Sequence, residues 1–397
     1  MSAATETGAR ADAHGRAEPG LRTEWRRGPD ALEGLEEAYR ALLADVPHAT
    51  PFNRWDWCRS AMRHLVPEGR EPVVLLAWAG RRLVGCLPMT RGWEPLWGIP
   101  ARTLRLLGHP LADRMALPVA ADMPGALGTM LDEIAASTRS GADVAILSEL
   151  PRFGGDADAA RRWSAGRRPL DVRHVSRAPR LALSPDADPT AQGSNGLRKR
   201  LARARKRLEK AGELRFERHR PDANAVAPLI EAIAAVEDAS WKGEQGTGVF
   251  RAGERRAFFT EVSRTLAADG LIEIALLYLD GELAGYRYGF RVGATYYDYN
   301  FAHRSELDAL SIGRVLLDEV VRSAPSAGIE VIDASRGSLS RGNILRDWTP
   351  EHVDHDELWL FGTGPWGQVM SLLVRRAKPA AQRLKSYVEP MRWHAAS

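Results

Sequence analysis

Apolar positions along the chain follow two spacings, and each spacing predicts one kind of element. In the first half, helical recurrence predicts helices at 32–46, 53–65 and 124–139. Alternating or continuous apolar runs predict strands at 72–80, 81–91, 103–108, 115–120, 142–150 and 171–183, with a Gly- and Arg-rich stretch at 153–168. The first two strands flank the turn signal Ala79-Gly80-Arg81, which predicts a hairpin.

The second half opens on a basic helix, which Ser194 or Asn195 can cap and which Gly212 ends. Further helices are predicted at 225–241, 253–270 and 311–328, and strands at 213–220, 271–280, 282–292, 294–302, 329–337 and 354–362. Asp280-Gly281 is a strong hairpin signal between two of these strands. Both halves therefore run helix, helix, antiparallel strands, helix, strand.

This pseudo-repeat predicts a mixed α/β, α+β-like fold made of two similar domains, each a mostly antiparallel sheet flanked by helices. We expect a disordered tail at 1–28, because that segment is polar and rich in Gly and Ala. The expected domains are 29–175 and 176–362, followed by a C-terminal amphipathic helical segment at 363–397.

Charge and composition make some classes of function less favourable than others for this protein. The net charge is only +4 despite 55 Lys and Arg, which disfavours a dedicated nucleic-acid binder and favours anionic small molecules as partners. Cys58 and Cys86 are not spaced as the ligands of a metal site are, and their apolar surroundings predict that both are buried. No metal is therefore expected. The chain lacks a long apolar run and a hydrophobic leader near its start, which predicts a cytoplasmic protein.

The basic helix carries eight Lys or Arg residues between Arg198 and Lys210, against the single acid Glu209. Apolar residues at helical spacing predict that its other face docks on the domain. Four roles stay open for the basic side of this helix. It is a solvated face, it steers coenzyme A or an acidic substrate, it binds a nucleic acid, or it binds a lipid surface. Nucleic acid is disfavoured because the helix lacks interleaved aromatic residues for base stacking.

The second half resembles the GNAT acyltransferases. The resemblance rests on "LRKRLARARKRLEKAGELRFE", "EDASWKGEQGTGVF", "AFFTEVSRTLAADGLIEIALLYLDGELAGYRYGF" and "SIGRVLLDEVVRSAPSAGIEVIDASRG" in this order, and covers about 193–348. More narrowly, these segments are similar to the CelD/BcsL-type branch, which is related to tandem-GNAT Fem-type transferases that use aminoacyl-tRNA. The resemblance implies an acyltransferase that takes acetyl-CoA or another acyl-CoA as co-substrate.

The start of the helix at 311–328 is the expected cofactor site. Helix N-termini offer free N–H groups and a positive dipole end, which suit a pyrophosphate. Ser311 is expected to cap this helix, Gly313 to allow close backbone approach, and Arg314 to add charge; the predicted cofactor-binding residues are Ser311, Ile312, Gly313 and Arg314. The resemblance implies that the strand at 294–302 splays open to receive the pantetheine arm.

Acyl transfer to an amine requires that a base take a proton, and Asp333 at the tip of "IEVID" is the first candidate. Alternation along the strand places Asp298 and Asn300 on one face and Tyr297, Tyr299 and Phe301 on the other, so Asp298 is a second catalytic candidate. Trp241 and Lys242 are expected to lie on a mobile loop and to line the acceptor pocket. The predicted substrate-binding residues are Trp241, Lys242, Asn300 and Arg336.

The acceptor stays open between an amine and a hydroxyl of a small molecule or of a saccharide or cell-envelope precursor. Two departures from the family pattern bear on activity. Only Gly313 remains of the usual glycines at the cofactor helix, and Ile344 and Leu345 stand where the family tends to carry Tyr-Lys before Trp348. These departures motivate one alternative, a non-catalytic module in a biosynthetic complex. The tandem halves and the basic helix motivate the other, a Fem-like transferase that uses aminoacyl-tRNA.

The C-terminal segment from Trp366 has an apolar stripe and a basic remainder, interrupted by Pro379. Docking on its own domain is the favoured interpretation, with peripheral contact to a membrane surface as the second. The oligomeric state is left open.

Overall fold

A computed structural model describes residues 20–46, 48–165, 169–183, 193–339 and 343–377. The strands are β1 Leu21–Arg27, β2 Arg70–Ala79, β3 Arg82–Leu96, β4 Ile99–Leu106, β5 Val144–Pro151, β6 Leu170–Ala182, β7 Leu214–His219, β8 Ile272–Leu279, β9 Glu282–Val292, β10 Thr295–His303, β11 Val331–Asp333 and β12 His352–Phe361. The helices are α1 Glu36–Ala44, α2 Trp55–His64, α3 Gly125–Ala135, α4 Ser137–Ser140, α5 Asp156–Ser164, α6 Asn195–Ala211, α7 Val226–Asp238, α8 Trp241–Glu244, α9 Glu254–Ala268, α10 Ile312–Ser323 and α11 Pro365–Leu372.

These strands form one 12-stranded sheet in the order β1-β2-β3-β4-β5-β12-β6-β11-β10-β9-β8-β7. The pairing is antiparallel except for β4 with β5 and β10 with β11. Each half thus contributes four antiparallel strands in sequence followed by one parallel strand. The fold class is mixed α/β with a mainly antiparallel sheet flanked by helices and two halves of the same strand order, as the pseudo-repeat predicted.

The last strand of each half lies beside the other half. Strand β12, from the end of the second half, pairs with β5 of the first half, and β6 pairs with β11. The two exchanged strands also pair with each other from His352–Pro179 to Leu360–Leu170. Backbone hydrogen bonds therefore run without a break from one domain to the other.

A shared aromatic core joins the halves on one side of the sheet. The indole of Trp57 on α2 packs edge-on against Phe258 of α9, with ring centroids 4.9 Å apart, and against Phe290 of β9 at 6.0 Å. Phe52 lies between Trp57 and Phe290, at 4.8 and 5.6 Å. All four side chains are buried, so separating the halves would expose them to water.

Two smaller cores cover the other side. Helices α6 and α10 pack on the second half through buried apolar residues, among them Leu197, Leu201, Leu208, Ile312, Leu316 and Val320. The prediction that the basic helix docks on its domain through its apolar face is thus confirmed. On the first half, α11 and the π-helical turn Leu373–Ala377 bury Met370 and Val374 against β3–β5 and β12. The segment thus packs on its own domain through Met370 and Val374, whereas Val369 and Leu372 of the predicted apolar stripe are exposed. Residues 378–397 lie outside the described residues.

Several local expectations are wrong. The expected tail at 1–28 includes β1, an edge strand paired with β2, because Leu21 and Trp25 pack on the core while intervening side chains face water. Residues 1–19 lie outside the described chain. The expected strand at 115–120 makes only an isolated bridge between Gly85 and Val119. The Gly- and Arg-rich stretch at 153–168, for which no element was predicted, contains α5, which starts after Gly155 and buries Ala157 and Ala160.

The expected domain boundary at 175/176 falls inside β6, and the boundaries themselves stay a prediction. No helix in the described ranges is both long enough and apolar enough to cross a lipid bilayer.

The aromatic core predicts a large stability effect. We expect Trp57→Ala to lower the free energy of unfolding by about 3–5 kcal/mol, because the cavity lies where both halves meet. Urea unfolding followed by circular dichroism measures this loss. Trp93→Ala is the matched control, since Trp93 is 64% exposed. Equal losses in the two variants would contradict the role of this core.

Candidate functional site

The candidate site begins where β10 and β11 part. The two strands pair only from Thr295–Tyr297 to Val331–Asp333, after which β11 ends and β10 continues to His303. We call the opening between residues 298–303 of β10 and residues 334–339 the wedge. Backbone groups of β10 that face it have lost their neighbouring strand, which is the splayed edge that the resemblance implied.

A β-bulge changes which side chains of β10 share a face. The register with β9 shifts between Asp298 and Asn300, so that Asp298 lies opposite Gly289 and Asn300 opposite Tyr288. As a result Asp298 faces α10, while Asn300 faces α7. The expectation that Asp298 and Asn300 point the same way is wrong, because one extra residue in a strand reverses the alternation beyond it.

On the α10 face, Asp298 forms a buried ion pair with Arg287 of β9. Burial raises the pKa of Asp298, and the Arg287 guanidinium lowers it in part. Arg287 also donates to the carbonyl of Gly313 at 3.0 Å and stacks over Phe301 at 4.6 Å. Asp298 Oδ1 and Arg287 Nε, both buried, have no hydrogen-bond partner. His303 Nδ1, near Gly313, is likewise buried without a partner, so this face of the wedge carries several unused polar atoms.

On the α7 face, Lys242 and Asn300 belong to one buried network. Lys242 Nζ donates to Asn300 Oδ1 at 2.5 Å and to the Phe301 carbonyl at 2.7 Å. Asn300 Nδ2 donates to Glu237 Oε1 at 2.8 Å. Burial lowers the pKa of Lys242 to about 8, although Glu237, 3.9 Å away, raises it in part.

The segment that carries Lys242 is helical. Trp241–Glu244 forms α8, and the Ser240 hydroxyl caps it by accepting from the Lys242 N–H at 3.2 Å. The expected mobile loop is therefore wrong at this position. Trp241 is 41% exposed at the start of α8, so it lies at the surface while Lys242 points inward.

The start of α10 differs from the expectation in one respect. Ser311 stands at the N-cap in a left-handed conformation with φ 61°, and its side chain does not cap the helix. Gly313 is needed for close packing, since a Cβ there would lie 3.3 Å from the Phe301 ring. Arg314 is exposed and lies 3.3 Å from Asp347.

A groove of about 530 Å³ runs between α6 and the start of α10. We call it the basic groove; its lining residues are Arg200, Leu201, Arg203, Ala204, Arg207, Ser311, Arg314 and Asp347. Four arginines face one carboxylate there, and Arg207 Nη2 reaches the Ser311 hydroxyl at 3.4 Å. The basic side of α6 therefore lies beside the expected cofactor helix. This proximity could not be predicted from the position of α6 in the sequence.

Asp333 lies at the meeting point of the halves and is 1% exposed. Its Oδ2 accepts from Arg114 Nη1 at 2.5 Å and its Oδ1 from the Ser335 N–H at 2.9 Å. Arg114 comes from the first half, in the segment between β4 and α3. Both oxygens of the predicted base are thus engaged, and its ion-pair partners are not the neighbouring Arg336 but Arg114 and, at 3.9 Å, Arg180 of β6.

A row of hydrogen bonds continues from Arg114 across the exchanged strands. Arg114 Nε donates to His355 Nε2 at 3.0 Å, His355 Nδ1 lies 3.0 Å from the Ser176 hydroxyl, and that hydroxyl donates to Glu149 Oε2 at 3.1 Å. Burial together with Arg114 and Arg336 lowers the pKa of His355 well below its usual value. His355 is therefore neutral, accepts at Nε2 and donates from Nδ1.

Arg336 lies close to two further carboxylates, those of Glu149 and Asp113. Its Nη2 lies 3.0 Å from Glu149 Oε1, its Nη1 lies 3.7 Å from Asp113 Oδ1, and Nη1 donates to the Pro110 carbonyl at 2.7 Å. Burial raises the pKa of Asp113 to about 7, against the lowering effect of Arg336. Burial also raises the pKa of Glu149.

Sequence patterns alone did not single out Asp113, Arg114, Glu149, Ser176 or His355. One signal was available: Glu149 near the end of "AILSEL" corresponds in the pseudo-repeat to the acid that ends "IEVID". Arg114 gave no signal, because it lies in an irregular segment. At the departures from the family pattern, Leu345 is buried and Ile344 partly buried in the core beneath α6, so both have packing roles.

Comparison with known proteins agrees with this geometry. Residues 195–340, about a third of the chain, match the model of the acetyltransferase (GNAT) domain. The chain therefore carries a GNAT-superfamily acetyltransferase domain in its second half. No curated protein matches the sequence.

Among solved structures, FemX is similar at 10% identity with a TM-score of 0.54, and 85% of this chain and 98% of that chain are covered. A conserved protein of unknown function from Bacteroides thetaiotaomicron VPI-5482 has 9% identity and a TM-score of 0.50, with coverages of 82% and 97%. A tandem GNAT protein from the clavulanic acid biosynthesis pathway has 13% identity and a TM-score of 0.47, with coverages of 87% and 99%. The first two similarities show the fold alone.

The burial of Lys242 predicts an unusual titration. We expect its ammonium to lose its proton near pH 8, whereas exposed lysines titrate near their ordinary pKa of about 10.4. Because the folded pKa lies below the unfolded one, the contribution of Lys242 to stability rises as the pH increases above 8. Titration by NMR of 13C-labelled lysine measures the pKa, with Lys242→Arg to assign the signal. A midpoint above pH 10 for that signal would contradict the buried environment.

Proposed function

We propose that the protein is an acyl-CoA-dependent acyltransferase, which moves an acyl group, acetyl in the first instance, to an amine or hydroxyl. The observation that carries the proposal is the wedge in β10 lying beside the basic groove at the start of α10. The acceptor in this proposal is a small molecule or a saccharide or cell-envelope precursor, in keeping with the resemblance to the CelD/BcsL-type branch.

The basic groove fits the phosphates of coenzyme A. Four arginines against one aspartate leave a net charge of about three positive units in the groove. The start of α10 lines one end of this groove through Ser311 and Arg314, and the first N–H groups of a helix suit an anion. Arg200, Arg203, Arg207 and Arg314 would hold the phosphates there.

The wedge fits the pantetheine arm. An arm of this kind carries amide groups, each of which needs one donor and one acceptor once it leaves water. Asp298 Oδ1 and Arg287 Nε are buried without partners on this side of β10. In the proposal Asp298 therefore serves the cofactor arm, and the acceptor meets the thioester near Asn300, Lys242 and Asp333.

The groove generates a binding prediction. We expect Arg203→Glu and Arg207→Glu each to weaken acetyl-CoA binding roughly 10–100-fold, because an arginine–phosphate contact contributes about 1.5–3 kcal/mol. Calorimetric titration measures the Kd, and Gly313→Trp, which closes the start of α10, should abolish binding. Arg162→Glu on α5 makes the same charge change far from the groove. No binding by the unaltered protein, or equal binding by all variants, would overturn the proposal.

The basic side of α6 also bears on the Fem-like alternative. Aminoacyl transfer from tRNA requires tRNA binding that weakens steeply with salt, in proportion to the phosphates neutralised. A filter-binding series over salt concentration separates the two functions: tight, salt-steep tRNA binding without acetyl-CoA binding would favour the Fem-like reaction. Binding of neither would favour a non-catalytic module.

A further inference from the structure

Five large apolar side chains face solvent together at one end of the first half. Among the described residues, eight large apolar side chains are exposed, and these five lie on only two elements. They are Trp93, Trp97, Trp366, Val369 and Leu372, and they are between 40% and 64% exposed. We call them the apolar patch. Exposed apolar side chains that are grouped in this way mark a surface that binds another molecule.

Trp93 and Trp97 lie on a two-stranded ribbon that extends beyond the sheet. Strand β2 pairs with β3 only as far as Gly92, and β5 pairs with β4 only from Thr103 onward. Residues 93–96 and 99–101 therefore pair with each other and with no other described strand. We call 93–101 the ribbon. Its sequence, WEPLWGIPA, contains a single charged residue, Glu94.

Helix α11 lies against the ribbon. Trp366 Nε1 donates to the carbonyl of Pro100 at 3.0 Å, and α11 buries Met370 in the small core that the ribbon also lines. Trp366, Val369 and Leu372 follow one another at intervals of three residues, so they form one stripe along the exposed side of α11. The ribbon and this stripe therefore form one apolar surface.

The Trp97 indole is ordered although it is exposed. It stacks on the indole of Trp359, with ring centroids 5.0 Å apart and planes at 20°. The Arg173 guanidinium lies over the same pair, 4.1 Å from the Trp359 ring and 5.5 Å from the Trp97 ring. Because the indole is already held in place, it loses little conformational freedom when it binds another molecule.

The ribbon is unsuited to a protein strand as its partner. Pro95 and Pro100 stand opposite each other, both are exposed, and proline has no N–H to donate to an added strand. Ala101 faces the core under α11, so alternation places Trp93 on the other face of the ribbon. A fluid apolar layer can surround a ribbon with tryptophans on two sides, and the prolines leave fewer N–H groups to be removed from water.

A basic segment follows the patch in the chain. Arg375 is exposed three residues after Leu372, and residues 375–397 carry six Lys or Arg against the single acid Glu389. The acid of the ribbon, Glu94, is paired with Arg105 at 2.8 Å. Basic residues beside an apolar surface are attracted to negatively charged lipid headgroups. A nucleic acid fits less well, because Val369 and Leu372 are aliphatic and offer no face on which a base can stack.

We propose that the apolar patch docks the protein on the surface of an anionic lipid bilayer. The ribbon and the stripe of α11 enter the boundary between headgroups and acyl chains, and the basic residues from Arg375 onward attract the headgroups. Tryptophan is enriched at this boundary in membrane proteins, because its ring is apolar and its N–H is polar. The inference goes beyond the proposed acyltransferase function and does not depend on it.

Sedimentation with lipid vesicles tests the docking of the full-length protein. We expect binding to phosphatidylglycerol vesicles at low salt, weaker binding at high salt, and little binding to phosphatidylcholine vesicles, because salt screens the attraction of the basic residues. Acetyl-CoA is left out, so the result is independent of acyl transfer. No sedimentation with phosphatidylglycerol vesicles at low salt, or equal sedimentation with both lipids, overturns the proposal.

Trp93→Ser and Leu372→Ser test the patch itself. We expect each change to weaken binding to phosphatidylglycerol vesicles about tenfold, because each removes an apolar side chain that leaves water on docking. Phe153→Ser is the matched control: Phe153 is 48% exposed but follows the far end of β5, and this variant should bind as the unaltered protein does. Circular dichroism checks that all three variants are folded. Equal losses in the three variants, or no loss in the first two, contradict the assignment.

Acyl-chain-brominated phosphatidylglycerol separates insertion from adsorption by charge alone. Bromine quenches tryptophans that reach the acyl chains, so we expect the fluorescence of the bound protein to fall. Trp93→Phe and Trp97→Phe together should keep vesicle binding and lose part of the quenching, because phenylalanine is apolar as well. Sedimentation without any quenching would mean that only the basic residues bind, and would exclude a role for the patch.

Light scattering without lipid tests whether the patch instead binds a second copy of the chain. We expect the same molar mass for the unaltered protein and for Trp93→Ser. A dimer that dissociates in Trp93→Ser, together with no vesicle binding by the unaltered protein, would identify the patch as an interface between copies and overturn the proposal.

Discussion

The ion pair between Arg114 and Asp333 is the interaction on which the site depends. Both side chains are 1% exposed, and they come from different halves of the chain. Taking two charges out of water is favourable only when further hydrogen bonds satisfy them, which His355 and the Ser335 N–H provide. The pair thus fixes the loop of one half against the short strand of the other.

The exchange of β6 and β12 creates the place for this pair. Because each half completes the sheet of its neighbour, the ends of β5 and β11 lie on either side of two strands, and their polar side chains form one row. In the row from Glu149 through Ser176 and His355 to Arg114, each hydroxyl and ring nitrogen has a defined donor or acceptor. A rigid polar row of this kind positions the groups around it.

In the proposal, one face of β10 contacts the cofactor and the other face contacts the acceptor. The bulge near Tyr299 turns Asp298 toward α10 and the basic groove, and turns Asn300 toward Lys242 and Glu237. In this proposal, cofactor contacts and acceptor contacts come from residues on either side of the bulge in one strand. The first half contributes Arg114, which holds Asp333, so in this proposal neither half forms the site alone.

The sequence by itself determined the elements and their order. Periodicity located most helices and strands, the pseudo-repeat indicated two similar domains, and "SIGRVLLDEVV" marked the helix that the proposal assigns to the cofactor, because these signals are local in the chain. Only the tertiary structure decided the pairing of Asp333 with Arg114, the opposite orientations of Asp298 and Asn300, and the approach of α6 to α10. Those features depend on strand exchange, on a one-residue bulge and on long-range packing, and none of them leaves a periodic trace in the sequence.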